Sequence, residues 1–121
     1  MPRPLFDRVV SVTINLNTAG SGYIASPYKG KVIKVQSVIH GAPNANAVMT
    51  TGIAAPGSTT FTAITGGGFT IATASAAAGD YDEANPTAAN IVEQNGILRV
   101  TSDGGPSADV NATINFVIRE R

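Results

Sequence analysis

Residues 85–105 read NPTAANIVEQNGILRVTSDGG, and their local chemistry indicates the class of fold. An Asn-Gly pair at 95–96 and an Asp-Gly pair at 103–104 suit turns with positive φ, and the apolar run at 97–101 predicts a short β-strand between them. The polar segment before that run begins after a proline and could form at most one short helical turn, near 87–93. A short strand with a tight turn at each end is typical of all-β proteins.

Alternation of apolar and polar residues extends this pattern to both ends of the chain. Residues 7–16 and 110–119 carry apolar side chains at every second position, so each predicts a strand with one buried face. Because the two segments match in pattern and length, we expect them to be neighbours in one sheet. Further strands are predicted at 31–39, 47–53, 59–64 and 69–73, and long loops at 17–30 and 74–86. The sequence therefore predicts an all-β fold, an antiparallel β-sandwich or jelly-roll-like domain of about seven or eight strands.

The strand at 31–39 carries two further predictions. Simple alternation puts Ile33, Val35 and Ile39 on one face, with Val32 on the opposite face beside Lys34. The connection to residues 47–53 is too short for a parallel crossover, so that strand is predicted to run antiparallel to 31–39.

The composition supports the same class of fold. Valine, isoleucine and threonine are abundant, whereas leucine occurs only at positions 5, 16 and 98. Branched side chains pack well on a pleated sheet. A chain of 121 residues has the size of one domain. We therefore predict an extended N-terminal arm at 1–6, which holds two prolines, and a single β-sandwich domain at 7–121.

The charge is low and balanced, with eight basic and eight acidic residues. Such a chain lacks the electrostatic footprint of a nucleic-acid-binding protein, and it also lacks the net charge that keeps proteins apart. No apolar run approaches the roughly 20 residues of a membrane helix. We therefore expect neither a nucleic-acid partner nor a membrane partner, and we expect association with other protein surfaces.

Few residues suggest catalysis or metal binding. His40 is the single histidine, and there is no cysteine, so the usual transition-metal sites cannot be assembled. The acidic segment 80–83 lacks the spacing of a calcium-binding loop, and we predict a solvated loop there, with a loose calcium site as the alternative. No serine lies in a G-x-S-x-G motif. We predict that the chain is not an enzyme and uses no cofactor.

Four stretches, taken in order, carry a resemblance to a known family. They are GKVIKV at 30–35, GAPNANAV at 41–48, GGGFTIA at 66–72 and the segment 86–105. In this order they resemble the head decoration, or cement, proteins of tailed bacteriophages, over about residues 30–119. Related proteins often have Gly-Asp before the strand, where this chain has Gly96 and Ile97.

This resemblance implies a structural virion protein. The family forms homotrimers that sit on three-fold or quasi-three-fold positions of an icosahedral shell and clamp adjacent capsomers. The partner would be the major capsid protein, and the location would be the outer surface of the capsid, after synthesis in the host cytoplasm. The family brings no catalytic residues, metal or cofactor.

The contact surfaces are predicted in segments that are long and poor in regular structure, namely the arm 2–6 and the loops 18–29 and 74–85. The residues predicted for the interface with the capsid or with other subunits are Pro2, Arg3, Pro4, Leu5, Phe6, Tyr23, Tyr28 and Tyr81. The alternative is a carbohydrate- or receptor-binding β-sandwich module of a virion fibre. The same three tyrosines are the candidates for its aromatic platform.

Overall fold

The fold was analysed in a computed structural model, which describes residues 6–17, 20–73 and 76–121. Within these residues there are ten β-strands and no helix. The strands are β1 (Asp7–Asn15), β2 (Gly20–Ala25), β3 (Gly30–Ile39), β4 (Ala47–Ala54), β5 (Thr62–Ala63), β6 (Phe69–Ile71), β7 (Tyr81–Ala84), β8 (Ile91–Val92), β9 (Ile97–Ser102) and β10 (Asn111–Glu120). The prediction of an all-β antiparallel sandwich is confirmed, with two very short strands beyond the expected number.

The strands form two five-stranded antiparallel sheets. In the first sheet the order is β1-β10-β3, and β7 and β8 pair with different parts of β3. In the second sheet the order is β2-β9-β4, and β5 and β6 pair with different parts of β4. The core lies between the two sheets, with the fully buried Phe116 as its largest side chain.

The pairing of the two long end strands is confirmed. β1 and β10 are antiparallel neighbours from Asp7 opposite Arg119 to Asn15 opposite Asn111. Their predicted faces are also correct, because alternate residues of both strands point into the core. Since β10 also pairs with β3, it occupies the middle of the first sheet.

The predicted faces of β3 are wrong at its beginning. Val117 lies opposite Lys34, but the next residue of β10, Ile118, lies opposite Val32, so Ile33 is an extra residue in a β-bulge. The bulge shifts the alternation by one position. Val32 is therefore fully buried, and Ile33 is only half-buried.

The expected pairing of 47–53 with 31–39 is also wrong. β4 belongs to the second sheet, where its neighbours are β9, β5 and β6. The connection at 40–46 therefore crosses from one sheet to the other. A short connection excludes a parallel crossover within one sheet, but it does not require the two strands to pair.

Several predicted boundaries need correction. Residues 59–61 lie outside any strand, and the predicted loops 17–30 and 74–86 contain β2 and β7. The segment 87–93 forms β8 and contains no helical turn. Just before β8, the Thr65 N–H donates to the Ala88 carbonyl at 3.0 Å, and the Thr87 N–H donates to the Thr65 carbonyl at 2.9 Å. These bonds join the β5–β6 connection of the second sheet to the β7–β8 connection of the first.

Candidate functional site

The outer face of the second sheet carries a row of three residues from neighbouring strands. Tyr23 of β2 lies opposite Arg99 of β9, and Arg99 lies opposite Gly52 of β4. Leu98 and Val100 are fully buried, so the alternation of the strand turns Arg99 outward between them. An aromatic ring and a guanidinium group therefore lie side by side on this face.

A loop folds back over this row and adds a second aromatic ring. The loop begins with a turn at 55–58, in which Gly57 has φ +77° and the Ser58 N–H donates to the Ala55 carbonyl at 2.9 Å. Phe61 at the end of the loop lies against Arg99, whose Cζ is 4.4 Å from the ring centroid. The Phe61 and Tyr23 centroids are 5.7 Å apart, with the rings inclined by 52°. Both distances lie in the range of favourable cation–π and aromatic contacts.

Gly52 leaves the space in which the guanidinium lies. A Cβ atom at this position would lie 3.3 Å from Arg99 Nη2 and 3.2 Å from the Thr62 carbonyl oxygen. Both separations are tighter than ordinary van der Waals contact. A residue without a side chain therefore leaves room for the Arg99 guanidinium beside Phe61.

Together these residues enclose an open pocket of about 340 Å³, which we call the Tyr23 pocket. Its lining residues are Tyr23, Ser58, Thr59, Phe61, Ile97 and Arg99. Tyr23 remains 57% exposed, so one wall of the pocket is a solvent-accessible ring. Over residues 6–17, 20–73 and 76–121, Arg99 makes the ring contact described above but no ion pair.

The outer face of the first sheet has a different character, and we call its uncharged part the neutral face. It consists of Val9, Ser11, Thr13, Gln36, Val38, Tyr81, Thr113, Asn115 and Val117. None of these side chains is charged at neutral pH. Val9 is 57% exposed. The face therefore presents an uncharged, mixed polar and apolar surface.

Charged side chains flank these residues on the same outer face; four of them form two ion pairs, whereas Lys31, opposite Arg119, is exposed and in no ion pair of the described residues. Arg119 Nε lies 2.9 Å from Asp7 Oδ1, and Lys34 Nζ lies 3.1 Å from Glu83 Oε2. The hydrogen bond from Arg119 holds the pKa of the Asp7 carboxyl below its usual value. The hydrogen bond to Glu83 raises the pKa of Lys34. A partner that covers these two ion pairs would therefore meet compensated charges.

The predicted interface residues lie in different places. Pro2, Arg3, Pro4 and Leu5, and with them nearly all of the arm, are outside the described residues. Phe6 and Tyr28 both contact Arg8, whose Cζ is 5.4 Å and 5.3 Å from their ring centroids. The Phe6 carbonyl accepts a hydrogen bond from the Glu120 N–H at 3.0 Å, which ties the base of the arm to β10.

The three predicted tyrosines do not form one aromatic platform. Tyr81 is on the neutral face, where its hydroxyl accepts from Gln36 Nε2 and donates to Glu83 Oε2, each at 3.2 Å. Tyr28 belongs to the Arg8 cluster, and Tyr23 lines the pocket on the opposite sheet. The sequence reasoning missed Phe61 and Arg99 as its neighbours. For Arg99, alternation within 97–101 could have indicated an outward side chain.

The acidic segment and the histidine remain isolated. His40 is exposed, with Nε2 2.7 Å from Thr113 Oγ1. Partial burial, and then the charge of Asp80, raises the pKa of Asp82. In the part of the chain that the structure describes, no group of three or more His, Cys, Asp or Glu residues could hold a metal ion. No helix among these residues is long and apolar enough to cross a membrane.

Comparisons with known proteins identify similar folds. No family model matches the chain, and no curated protein matches it. A chain in the acidic stable capsid structure of Helicobacter pylori bacteriophage KHP30 is similar, with a TM-score of 0.58 and 13% identity over 93% of this chain and 86% of that chain. Truncated AlyQ with CBM32 and alginate lyase domains gives 0.59 and 10% identity, over 92% of this chain but 26% of that one. The cyanophage Pam1 capsid asymmetric unit gives 0.49 and 20% identity, over 97% and 85%. At such identities the first two likenesses show the fold alone.

Proposed function

We propose that this chain is a decoration, or cement, protein that binds the outer surface of an icosahedral phage capsid and stabilises contacts between capsomers. The observation that carries the proposal is the likeness in fold to a chain of the KHP30 capsid structure, because it covers nearly the whole of both chains. The order of the turn and strand motifs in the sequence supports the same assignment. The partner is then the major capsid protein.

The neutral face is the surface that suits docking onto a protein shell. Burying an unpaired charge is costly, whereas uncharged side chains and preformed ion pairs can be covered at lower cost. Tyr81, one of the residues predicted for the interface, lies on this face, and Phe6, another, directly precedes β1 of the same sheet. We therefore place the contact with the capsid on the neutral face, and we propose that the arm extends this contact from Phe6.

Trimerisation and repetition over the shell are also part of the proposal. Many identical contacts add up by multivalency even where each contact is weak. A protein that binds the expanded shell but not its precursor stabilises the expanded state by mass action. This role requires no catalysis and no cofactor, so we propose that the chain is not an enzyme.

The test is co-sedimentation with expanded, undecorated phage heads, measured as copies bound per head. We expect saturation at a multiple of the three-fold sites. Val9→Asp places an unpaired carboxylate on the neutral face, so its affinity for heads should fall about tenfold or more. Val48→Asp is the matched control, because Val48 is a 45% exposed strand valine on the second sheet. Deleting residues 2–6 should lower the affinity while leaving the fold of the domain intact.

Two outcomes would count against this proposal. Absence of binding to heads by the wild-type protein would remove the decoration role. Equal losses of affinity for heads in Val9→Asp and Val48→Asp would leave the decoration role standing but would show that the neutral face is not the contact surface.

A carbohydrate- or receptor-binding module of a virion fibre is the second candidate function. The observation that favours it is the Tyr23 pocket, where two rings and a guanidinium line one cavity. Tyr28 and Tyr81, which were expected to complete an aromatic platform, lie elsewhere. If this candidate is correct, Tyr23→Ala alone among the three Tyr→Ala variants will lower retention on glycans.

A further inference from the structure

We infer that the Tyr23 pocket binds a carboxylated sugar, a hexuronic acid residue of an acidic polysaccharide. The inference concerns the second sheet and does not rest on the decoration role, which is assigned to the opposite face. It depends on three features of the pocket, namely the charge of Arg99, the two ring faces and the hydroxyl groups at the rim.

Arg99 provides an uncompensated positive charge in a fixed position. Arg8, Arg119, Lys29 and Lys34 each lie within 4 Å of a carboxylate, whereas no carboxylate of the described residues pairs with Arg99. Arg99 is half-buried, its Cζ lies 4.4 Å from the centroid of the Phe61 ring, and its Nη2 lies close to Gly52. A planar fork of donors held in this way matches the two oxygens of a carboxylate.

The aromatic rings favour a sugar over a small inorganic anion. Tyr23 and Phe61 are inclined by 52°, so they form a corner with two apolar walls, and Ile97 also lines the pocket. A sugar ring has an apolar face of C–H groups that packs on such walls, while its edges carry hydroxyl groups. An inorganic anion would use Arg99 but would leave both rings exposed to water.

The rim and the size of the pocket suit the rest of the ligand. Ser58 and Thr59 line the pocket and carry hydroxyl groups. Ser58 Oγ accepts a hydrogen bond from the Thr60 N–H at 3.1 Å, which leaves its own O–H free to donate to a ligand. The volume of about 340 Å³ is at the lower end of ligand pockets, which are about 300–1,000 Å³. It therefore fits one sugar ring and its immediate neighbour better than a long oligosaccharide.

The experiment uses the whole protein and two matched probes, trigalacturonic acid and the neutral trisaccharide of galactose with the same linkage. Binding is followed by amide chemical shifts during titration. We expect the acidic probe to shift residues of β2, β9 and 55–61, and the neutral probe to bind about tenfold or more weakly, because hydrogen bonds to a charged group are lost. Arg99→Gln should also weaken binding of the acidic probe about tenfold or more, because it removes the charge. Arg99→Lys keeps the charge but lacks the planar fork of donors, so its affinity should lie between those of Arg99→Gln and the wild-type protein.

Tyr23→Ala should also weaken binding of the acidic probe, and Tyr81→Ala, on the opposite face, should leave it unchanged. The inference fails if the wild-type protein does not bind the acidic probe, if the neutral probe binds equally well, or if a glutamate-rich peptide shifts the same residues and the sugar does not. Occupancy of heads by the Arg99→Gln variant, measured in parallel, separates the two proposals. The decoration role predicts normal occupancy even where sugar binding is lost.

Discussion

Ser37 shows how a single polar atom can lower the stability of this core. Its side chain is fully buried on β3, and Oγ has no hydrogen-bond partner, the one such buried side-chain atom in the described part of the chain. A buried hydroxyl without a partner loses its bonds to water and gains none in return, which costs about 1–3 kcal/mol. Ser102 is a useful contrast, because its buried hydroxyl donates to the Leu16 carbonyl and accepts from the Gly104 N–H, each at 3.2 Å.

We predict that Ser37→Ala raises the free energy of unfolding by about 1 kcal/mol, because it removes a desolvated hydroxyl and almost no volume. Ser102→Ala should lower the free energy of unfolding by about 1 kcal/mol, since it removes two bonds. Urea denaturation of both variants beside the wild-type protein measures the two changes. A loss of stability in Ser37→Ala would show that its hydroxyl has a partner in solution.

At the scale of elements, β7 is a short edge strand with an inward-pointing carboxylate. Asp82 lies opposite Ser37, whose side chain is in the core, so Asp82 is directed towards the same side of the sheet. Inward-pointing charges at edge strands discourage pairing with a second molecule. Partial burial raises the pKa of this carboxyl, with a further contribution from Asp80.

The raised pKa predicts how Asp82 affects stability as the pH changes. Ionised Asp82 is less favourable in the folded chain than in the unfolded chain. This penalty is present above its raised pKa and disappears as the pH falls below the ordinary value of 3.8. Asp82→Asn should therefore raise the urea midpoint at neutral pH and leave it unchanged at about pH 3, where the wild-type carboxyl is protonated.

Asp7→Asn is the control of opposite sign. Arg119 lowers the pKa of Asp7, so the ionised carboxyl stabilises the fold above its ordinary pKa of 3.8, and this stabilisation is lost as the pH falls through the lowered value. The variant should lower the midpoint at neutral pH, and the deficit should shrink in acid. If Asp82→Asn and Asp7→Asn shifted the urea midpoint in the same direction at neutral pH, this interpretation of the two carboxyl groups would be wrong.

The strands that could be predicted from the sequence are those whose own residues alternate between apolar and polar. β1 and β10 alternate cleanly, and their faces and pairing are correct. β2 reads GSGYIA and β7 reads YDEA, which have little apolar alternation, and they become strands by pairing with β9 and β3. The bulge at Ile33 depends on the register with β10, and local patterns carry no information about that register.

The candidate site was predictable only in part for the same reason. Tyr23 was proposed as an exposed aromatic residue, and it does line a pocket. Its neighbours come from β9 and from the loop before β5, which are distant in sequence. Their position depends on cross-strand register and on the absence of a side chain at Gly52, and neither can be derived from the sequence around Tyr23.

For the whole molecule, the two outer faces differ in charge and should respond differently to salt. Contacts of the neutral face involve uncharged residues and paired ions, whereas a sugar carboxylate on Arg99 is a single ion pair near solvent. We predict that raising NaCl from about 50 to about 500 mM leaves occupancy on heads unchanged and weakens binding of trigalacturonic acid severalfold. Sedimentation with heads and the chemical-shift titration, each repeated at both salt concentrations, measure these effects.

The neutral trisaccharide, tested at the same salt concentrations, corrects for effects of salt that do not involve Arg99. A loss of head binding as steep as that of the acidic sugar would show that unpaired charges contribute to the capsid contact. That result would move the proposed contact away from the neutral face.

The central position of β10 has a consequence for how the chain folds during synthesis. Asp7 and Arg119 are 112 positions apart, and β1 has no partner in its sheet until β10 has been made. At about 5–20 residues per second, the ribosome needs roughly 6–20 s to add the intervening chain. During that time the nascent strand VVSVTI at 9–14 is unpaired and has the composition of an aggregation-prone segment. Asp7 and Arg8 directly precede it, and charges beside such a segment oppose its aggregation. The two residues therefore act on the nascent strand well before they form their ion pairs in the finished sheet.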